Sequence, residues 1–382
     1  MQVDPTMLEK QRLIGQGGNC APAGISFWDP NSYGGKLSEG CVLCEKGAKM
    51  VFFVTGICSR SCFYCPISEK KSGVDVTYAN ERQVFDIQEA VQEAALIDAL
   101  GTGITGGDPL AVLSKTCFSI RELKKRFGEA HHIHLYTMTP ATGEVLQELA
   151  NAGLNEIRFH VPPETWSSEG LCDSGFGDSI GSAKNLGLDC GVEVPVFPEM
   201  EKELIFLCKW ALNTGADFVN LNELEMNYIN YKFLNERNYS TRSDISSAVS
   251  GSAELGMRVL RHFKESHSNI HFCSVAFKDG VQLKNRIGRR AKNVMKPYQE
   301  ITEDNTLIRA LIECPPTDEN LISLRDEFDI PEGMIEKDHL NSCLSTAWYV
   351  AEEINEHIPF RCAIIEEYPT YDRLEVERRY LN

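Results

Sequence analysis

Gly56-Ile57-Cys58-Ser59-Arg60-Ser61-Cys62-Phe63-Tyr64-Cys65-Pro66 follows directly on the apolar stretch Met50 to Val54. Three cysteines in a Cys-x3-Cys-x2-Cys run on one loop at a strand end can hold three irons of a [4Fe-4S] cube and leave the fourth iron open to a ligand. An open iron is a place for chemistry, whereas a cube saturated by four cysteines serves as an electron carrier. The competing reading is a zinc knuckle. Zinc sites repeat Cys-x2-Cys or pair it with histidines, and this spacing does neither well.

The chain has 382 residues, 42% of them hydrophobic, which is enough for one domain of roughly 250 residues and an appendage. No window reaches the ~18 uninterrupted apolar residues of a membrane span, so no membrane partner is expected. Met1-Gln2-Val3-Asp4-Pro5 lacks the basic start and apolar run of a signal peptide. Fourteen cysteines without such a signal point to a reducing compartment, and the expected home is an anaerobic or micro-oxic cytoplasm. The formal charge of -17 argues against wholesale phosphate binding. A local basic stretch does exist, formed by Lys278, Lys284, Arg286, Arg289, Arg290, Lys292 and Lys296. It reads either as a solvated helix face or as an anion-binding surface for RNA, an acidic protein or a phosphorylated substrate.

Residues 51 to 277 read as strand-then-helix units. Val51 to Ile57 is a buried strand, and Ile87 to Leu100 a helix with Asp86 as N-cap, Glu89 three residues on and Gly101 past its end. Strands are expected near Gly101 to Thr105, His132 to Met138, Glu156 to Val161, Asp189 to Phe197, Asp217 to Leu224 and Asn269 to Phe277, with glycines closing the intervening helices. Apolar strands alternating with amphipathic helices mean a parallel sheet covered by helices. That spacing alone does not separate a doubly wound sheet from an open, partial (β/α)6-type TIM-like barrel, whose site lies at the carboxyl ends of its strands. The expected organisation is an irregular segment over 1–50 with a candidate metal knuckle, a barrel over 51–297 and a small α+β domain over 298–382. In the last, Thr306 to Cys314 and Phe360 to Glu367 read as strands, and Asn320 to Phe328 and Asn341 to His357 as helices.

A second motif, Gly103-Ile104-Thr105-Gly106-Gly107-Asp108-Pro109-Leu110, closes the second expected strand. Paired glycines let backbone approach a ligand closely, and the carboxylate after them can accept from a cationic amine. Alone it would be a turn. Polar residues recur at later strand ends, where an apolar core has no need of them: Arg158, His160, Glu193, Asn220, Asn222, Glu223 and Glu225. Singly each reads as part of a satisfied buried network; together they read as the lining of a ligand cavity. Cys41 and Cys44 form a Cys-x2-Cys pair with Cys20 upstream, and Cys273 is a candidate fourth ligand of a second cluster or zinc site. Ordinary thiols are the alternative.

The cysteine loop with Tyr64 before its last cysteine, and Gly106-Gly107-Asp108-Pro109 after the next strand, resemble the signature elements of the radical S-adenosylmethionine (SAM) superfamily. Thr55-Gly56-Ile57-Cys58, His132-Ile133-His134-Leu135-Tyr136-Thr137, Asn220-Leu221-Asn222-Glu223-Leu224-Glu225 and Lys278-Asp279 more closely resemble an archaeal group related to pyruvate formate-lyase activating enzymes, over roughly residues 41 to 290. The resemblance implies a radical SAM barrel in which Cys58, Cys62 and Cys65 carry the cluster. SAM would bind the open iron and be cleaved by one electron to a 5'-deoxyadenosyl radical for hydrogen abstraction. It further implies SAM contacts from Tyr64, Gly106 and Gly107, a carboxylate partner in Arg158, and ribose partners in Glu193 or Asn222. Asp108 stands where that family carries a glutamate. An electron donor such as ferredoxin or flavodoxin is implied, and a macromolecular substrate, a protein glycyl residue first, fits the group. The other class of function is a metal-stabilised nucleic-acid-binding or RNA-modifying protein that uses the basic stretch 278–296.

Overall fold

The computed structural model describes residues 33–266 and 268–381. The chain forms two compact units, one over 33–95 and 99–283, the other over 96–98 and 284–381. In chain order the first unit contains β1 (Tyr33–Gly34), α1 (Glu39–Glu45), β2 (Lys49–Thr55), β3 (Thr77–Ala79), β4 (Arg82–Val84), α2 (Ile87–Leu96), β5 (Gly101–Gly106), α3 (Leu113–Phe127) and β6 (His132–Thr137). It continues with α4 (Gly143–Ala152), β7 (Glu156–Phe159), α5 (Ser168–Asp173), α6 (Phe176–Asn185), β8 (Asp189–Val196), α7 (Glu201–Thr214) and β9 (Phe218–Glu223). After β9 come α8 (Tyr231–Asn235), the hairpin β10 (Thr241–Ser243) and β11 (Ser246–Val249), α9 (Ser252–His262), β12 (Ile270–Cys273) and α10 (Val275–Phe277).

Sheet order decides between the two α/β architectures. Among the described residues the main sheet runs β1-β12-β9-β8-β7-β6-β5-β2-β3-β4. From β2 to β12 each parallel strand pairs with the one before it in the main sheet. A doubly wound sheet reverses its order at a switch point, and this one never does. It curls as a barrel that stays open, because β3 pairs with the outer side of β2 and β1 with the outer side of β12, both antiparallel.

The local signals explain the elements. Asp86 caps α2 by accepting from the Glu89 amide at 3.0 Å, while Glu89 accepts from the Phe85 amide at 2.7 Å. Gly153 and Gly215 end α4 and α7 in the left-handed region, with φ of 105° each, where a Cβ would be strained. Strands β5 and β7 are buried along the stretches Gly101–Ile104 and Glu156–Phe159, as a sheet covered on both faces requires.

Residues 1–50 are not irregular throughout. Ser38 caps α1, accepting from the Cys41 amide at 3.3 Å. The helix lies inside the barrel: a Cβ on Gly40 would come within 2.4 Å of Arg158 Nη2 and 2.7 Å of His134 Nδ1, and one on Gly101 within 2.7 Å of Leu43 Cδ1.

The second unit begins earlier than the expected boundary at 297. Helix α11 (Lys284–Val294) belongs to it, with Arg290 Nε donating to the Pro369 carbonyl at 2.6 Å and Lys284 paired with Asp304 at 3.3 Å. Its sheet contains β13 (Glu300–Ile301), β14 (Leu307–Ile312), β15 (Ile335–Asp338), β16 (Cys343–Thr346), β17 (Cys362–Glu367) and β18 (Glu375–Tyr380), with helices α12 (Asp318–Glu327) and α13 (Trp348–Ile354). The helix expected from Asn341 thus starts only at Trp348. Cys343–Thr346 is buried between β14 and β15, and pairing on both sides overrides local helix propensity.

Gly256 of α9 faces Phe272 of β12 so closely that a Cβ would lie 2.4 Å from the ring. Gly256→Ala should therefore lower stability by about 1–3 kcal/mol through overpacking, despite the ~1 kcal/mol that alanine gains in a helix. A thermal unfolding midpoint below that of wild type is the expected result.

Candidate functional site

The cysteine loop leaves the C-terminal end of β2 and is gripped by backbone. The Gly107 amide donates to Thr55 O at 2.7 Å and the Asp108 amide to Ile57 O at 2.8 Å. On the other flank Gly56 exchanges hydrogen bonds with Val74 O at 2.9 Å and Gly73 N at 2.8 Å. These approaches need glycine: a Cβ on Gly107 would stand 2.3 Å from Ile57 O, and one on Gly56 1.6 Å from Lys71 O.

Cys58, Cys62 and Cys65 are all half-buried on this loop. Cys58 Sγ lies 3.5 Å from Met138 Sδ at the end of β6. Burial pushes the Cys58 and Cys62 thiols up. Tyr64 reaches across to His160, its hydroxyl 2.8 Å from Nε2. Burial lowers His160 to about 4, so its neutral ring accepts a hydrogen bond from the tyrosine hydroxyl while the other nitrogen bonds the Glu193 backbone. Phe63 and Tyr64 pack on Phe197, and the Arg237 guanidinium covers Phe63 at 4.2 Å. Beside Phe63 opens a cavity of about 330 Å³ bordered by Phe197, Glu199, Arg237 and Tyr239.

The carboxylate of Asp108 is spent on the protein itself. It is buried, caps the short helical turn Pro109–Val112 through the Leu110 amide at 3.0 Å, and accepts from Thr137 at 2.8 Å and Thr139 at 2.6 Å. Arg158 is likewise spent on the protein, with four of its five N–H groups bonded. Its guanidinium donates to Glu156 at 2.5 Å, Glu193 at 2.8 Å, Tyr136 at 3.1 Å and Ser38 at 3.0 Å. Glu193 takes two more donors, Asn220 and Asn222, each at 2.9 Å. Burial alone would raise the Glu193 carboxyl, but Arg158 and the two asparagines outweigh it and hold the group at about 2. Arg158, Glu193 and Asn222, expected to line a ligand cavity, are thus joined in one network in the barrel interior, and Arg158 with Asp108 is only 1–2% exposed.

Cys41, Cys44 and Cys273 also face the interior. Cys41 Sγ accepts from Asn220 at 3.2 Å; burial raises its pKa, Arg158 and a hydrogen bond with His271 lower it, and the balance is about 6. Burial drives Cys273 the other way, to about 12. Cys20 lies outside the described residues. Among the described residues no three His, Cys, Asp or Glu side chains stand where they could hold a metal ion. The cluster cysteines do not have to converge in that way, because a cube gives each its own iron.

The basic stretch is largely committed. Lys278 pairs with Glu225 at 2.5 Å, Lys284 with Asp304 at 3.3 Å and Lys296 with Glu336 at 3.5 Å, and Arg290 is buried. No helix among the described residues is long and apolar enough to cross a membrane.

Comparison with known proteins agrees with this geometry. Residues 52–209 match the radical SAM superfamily model, and 305–381 match a domain of unknown function, DUF8061. Over 358 residues the chain is 41% identical to a Methanocaldococcus jannaschii protein carrying the name glycyl-radical enzyme activating enzyme, covering 90% of this chain and 92% of that one. The chain belongs to the radical SAM superfamily. More distant structural likenesses include SuiB of Streptococcus suis bound to SAM (12% identity, 59% of this chain and 50% of that chain, TM-score 0.40). Another is methylornithine synthase (12% identity, 65% and 77%, TM-score 0.41).

As a radical SAM protein it is an enzyme, and its family implies a [4Fe-4S] cluster and SAM as cofactors. The residues present fit them: three half-buried thiols on one loop at the C-terminal end of a barrel strand, with a glycine pair against that loop. Sequence reading missed the acceptors around Arg158 that complete the interior, Ser38, Tyr136 and Glu156, and the asparagines that hold the loop, Asn227 and Asn230. Only their position in space marks them.

Arg158→Met leaves the buried Glu156 and the part-buried Glu193 without a cation, and should cost about 3–5 kcal/mol in denaturant unfolding. The depressed Glu193 contributes stability that is complete above its ordinary value of 4.5 and fades as pH falls toward 2. Wild type should therefore lose stability across that window more steeply than Glu193→Gln, as unfolding curves recorded at stepped pH would show.

Proposed function

We propose that this chain carries its [4Fe-4S] cluster on Cys58, Cys62 and Cys65, cleaves SAM reductively there, and abstracts hydrogen from a protein substrate at a glycyl residue. The observation that carries this reading is the placement of the three thiols: one loop, at the carboxyl end of the first parallel strand, where α/β barrels keep their chemistry. Cys58, Cys62 and Cys65 would hold the cluster, which would supply the one electron needed for cleavage of the SAM C–S bond to methionine and a 5'-deoxyadenosyl radical.

The rest is the work of the chain. Gly106 and Gly107 brace the start of the loop and keep its backbone close to β5, and they are the proposed backbone contacts for SAM. Tyr64, oriented by neutral His160, borders the same space. Asp108 acts by position, tying the glycine turn to Thr137 and Thr139 of the neighbouring strand end. Arg158 and Glu193 act one layer deeper, as the floor of the site, and Asn222 joins that floor to β9. The protein substrate rests on the relative at 41% identity named as an activating enzyme. The committed basic residues and the net charge of -17 do not favour nucleic acid. An external one-electron donor of ferredoxin or flavodoxin type completes the scheme.

Anaerobic reconstitution followed by dithionite and SAM should yield 5'-deoxyadenosine, detected by chromatography. Cys62→Ala should lose both that product and the iron-sulfur absorbance near roughly 400 nm expected of thiolate-bound clusters. Full cleavage by the Cys62→Ala protein would overturn the assignment.

A further inference from the structure

The third cysteine is held from outside the signature motifs. After β9 the chain runs back over the cysteine loop as Met226-Asn227-Tyr228-Ile229-Asn230, fastened on its far side where the Met226 amide donates to Ser247 O at 2.7 Å. Asn230 is 1% exposed and every polar atom of its side chain is used. Its Nδ2 donates to Tyr64 O at 3.1 Å and to Glu225 O at 3.0 Å, and its Oδ1 accepts from the Asn227 amide at 2.8 Å. Asn227 in turn extends Nδ2 to Pro66 O at 3.4 Å.

These bonds bracket Cys65. The peptide plane between Tyr64 and Cys65 is pinned at both ends, its oxygen by Asn230 and its N–H by Cys62 O at 3.0 Å, and the Pro66 carbonyl just past Cys65 is bound by Asn227. A planar peptide fixed at oxygen and nitrogen cannot rotate, so the Cα that carries the Cys65 thiol is held in place and only the torsions at Cys65 itself remain to aim the sulfur. Cys58 has a different support, the amides of Gly107 and Asp108 on the residues just before it. Without the strap, Cys65 would sit on a loop end with freedom to lose on metal binding.

We infer that Asn230, assisted by Asn227, is a positioning residue for the iron-sulfur cluster, holding the third thiol ready from the end of β9. The inference rests on the reading that Cys58, Cys62 and Cys65 hold the cluster. It adds a requirement that lies some 160 residues along the chain, the hydrogen bond from Asn230 to Tyr64 spanning 166 positions.

The test compares reconstituted full-length wild type, Asn230→Ala, Asn227→Ala and Leu234→Ala under anaerobic challenge with EDTA, following loss of the iron-sulfur absorbance. Electron paramagnetic resonance of the reduced cluster is recorded with and without SAM. Leu234 is fully buried in α8, the helix that follows the strap, and among the described residues makes no hydrogen bond to the cysteine loop, so its variant reports general loosening. Asn230→Ala should load iron but release it about tenfold faster, the order expected when the one ordinary hydrogen bond that reaches the cysteine loop, to Tyr64 O, is lost. It should also show a broadened or shifted resonance, with Asn227→Ala between it and wild type. Leu234→Ala should keep the wild-type resonance at comparable thermal destabilisation. Wild-type release and resonance in both asparagine variants, or equal effects from Leu234→Ala, would overturn the inference. If Asn230→Ala does not fold, wild-type behaviour of Asn227→Ala overturns it alone. A wild-type chain that takes up no cluster overturns the cluster reading itself, which no result on the asparagines can do.

Discussion

One guanidinium holds the middle of the barrel together. Arg158 is buried, and a buried cation without partners would be intolerable. It therefore gathers Glu156 from its own strand, Glu193 from β8, Tyr136 from β6 and Ser38 from the cap of α1. Four elements are thereby tied to one planar group. Glu193 passes the constraint on to Asn220 and Asn222 of β9, and Asn220 passes it to Cys41 of α1. The interior is thus polar and cross-linked where many barrels are packed with aliphatic side chains.

That arrangement divides the barrel along its axis. One end is filled by the protein itself: α1 enters among His134, Arg158 and Leu43's neighbours at the start of β5, and glycine at position 40 is what lets it come so close. The other end, where the strands finish, is left to loops, and the three cysteines of the proposed cluster stand there. Neutral His160 links the two regions, bonding Tyr64 of the cysteine loop through one nitrogen and the backbone of β8 through the other.

The cysteine loop itself is held mainly by main-chain hydrogen bonds, from Gly107 and Asp108 on one side and from Gly73 and Val74 on the other. Main-chain support constrains shape without adding side chains that would compete for the thiols. It leaves glycine as the residue that cannot change, since any Cβ at Gly56 or Gly107 would collide with a carbonyl. Side chains take hold of the loop's carbonyls at its far end, through the asparagines of the strap.

The sequence by itself determined the alternation of strands and helices, the cysteine loop at the end of the first strand, and the glycine turn after the second. Each of these is written in local signals: apolar runs, caps, glycine at helix ends, and the spacing of three thiols. It did not distinguish an open barrel from a doubly wound sheet except through the motif, because strand order is a long-range property. Only the tertiary structure decided that order, and with it the fate of the polar residues at the strand ends. Arg158, Glu193 and Asp108 looked like groups awaiting a ligand because a sequence shows a charge and not its partner. In the fold each already has partners, supplied from segments up to 120 residues away. The same reason hid Asn230, an ordinary loop asparagine until β9 brings it over Tyr64, and misread Cys343–Thr346, whose strand pairing depends on neighbours the local pattern does not contain.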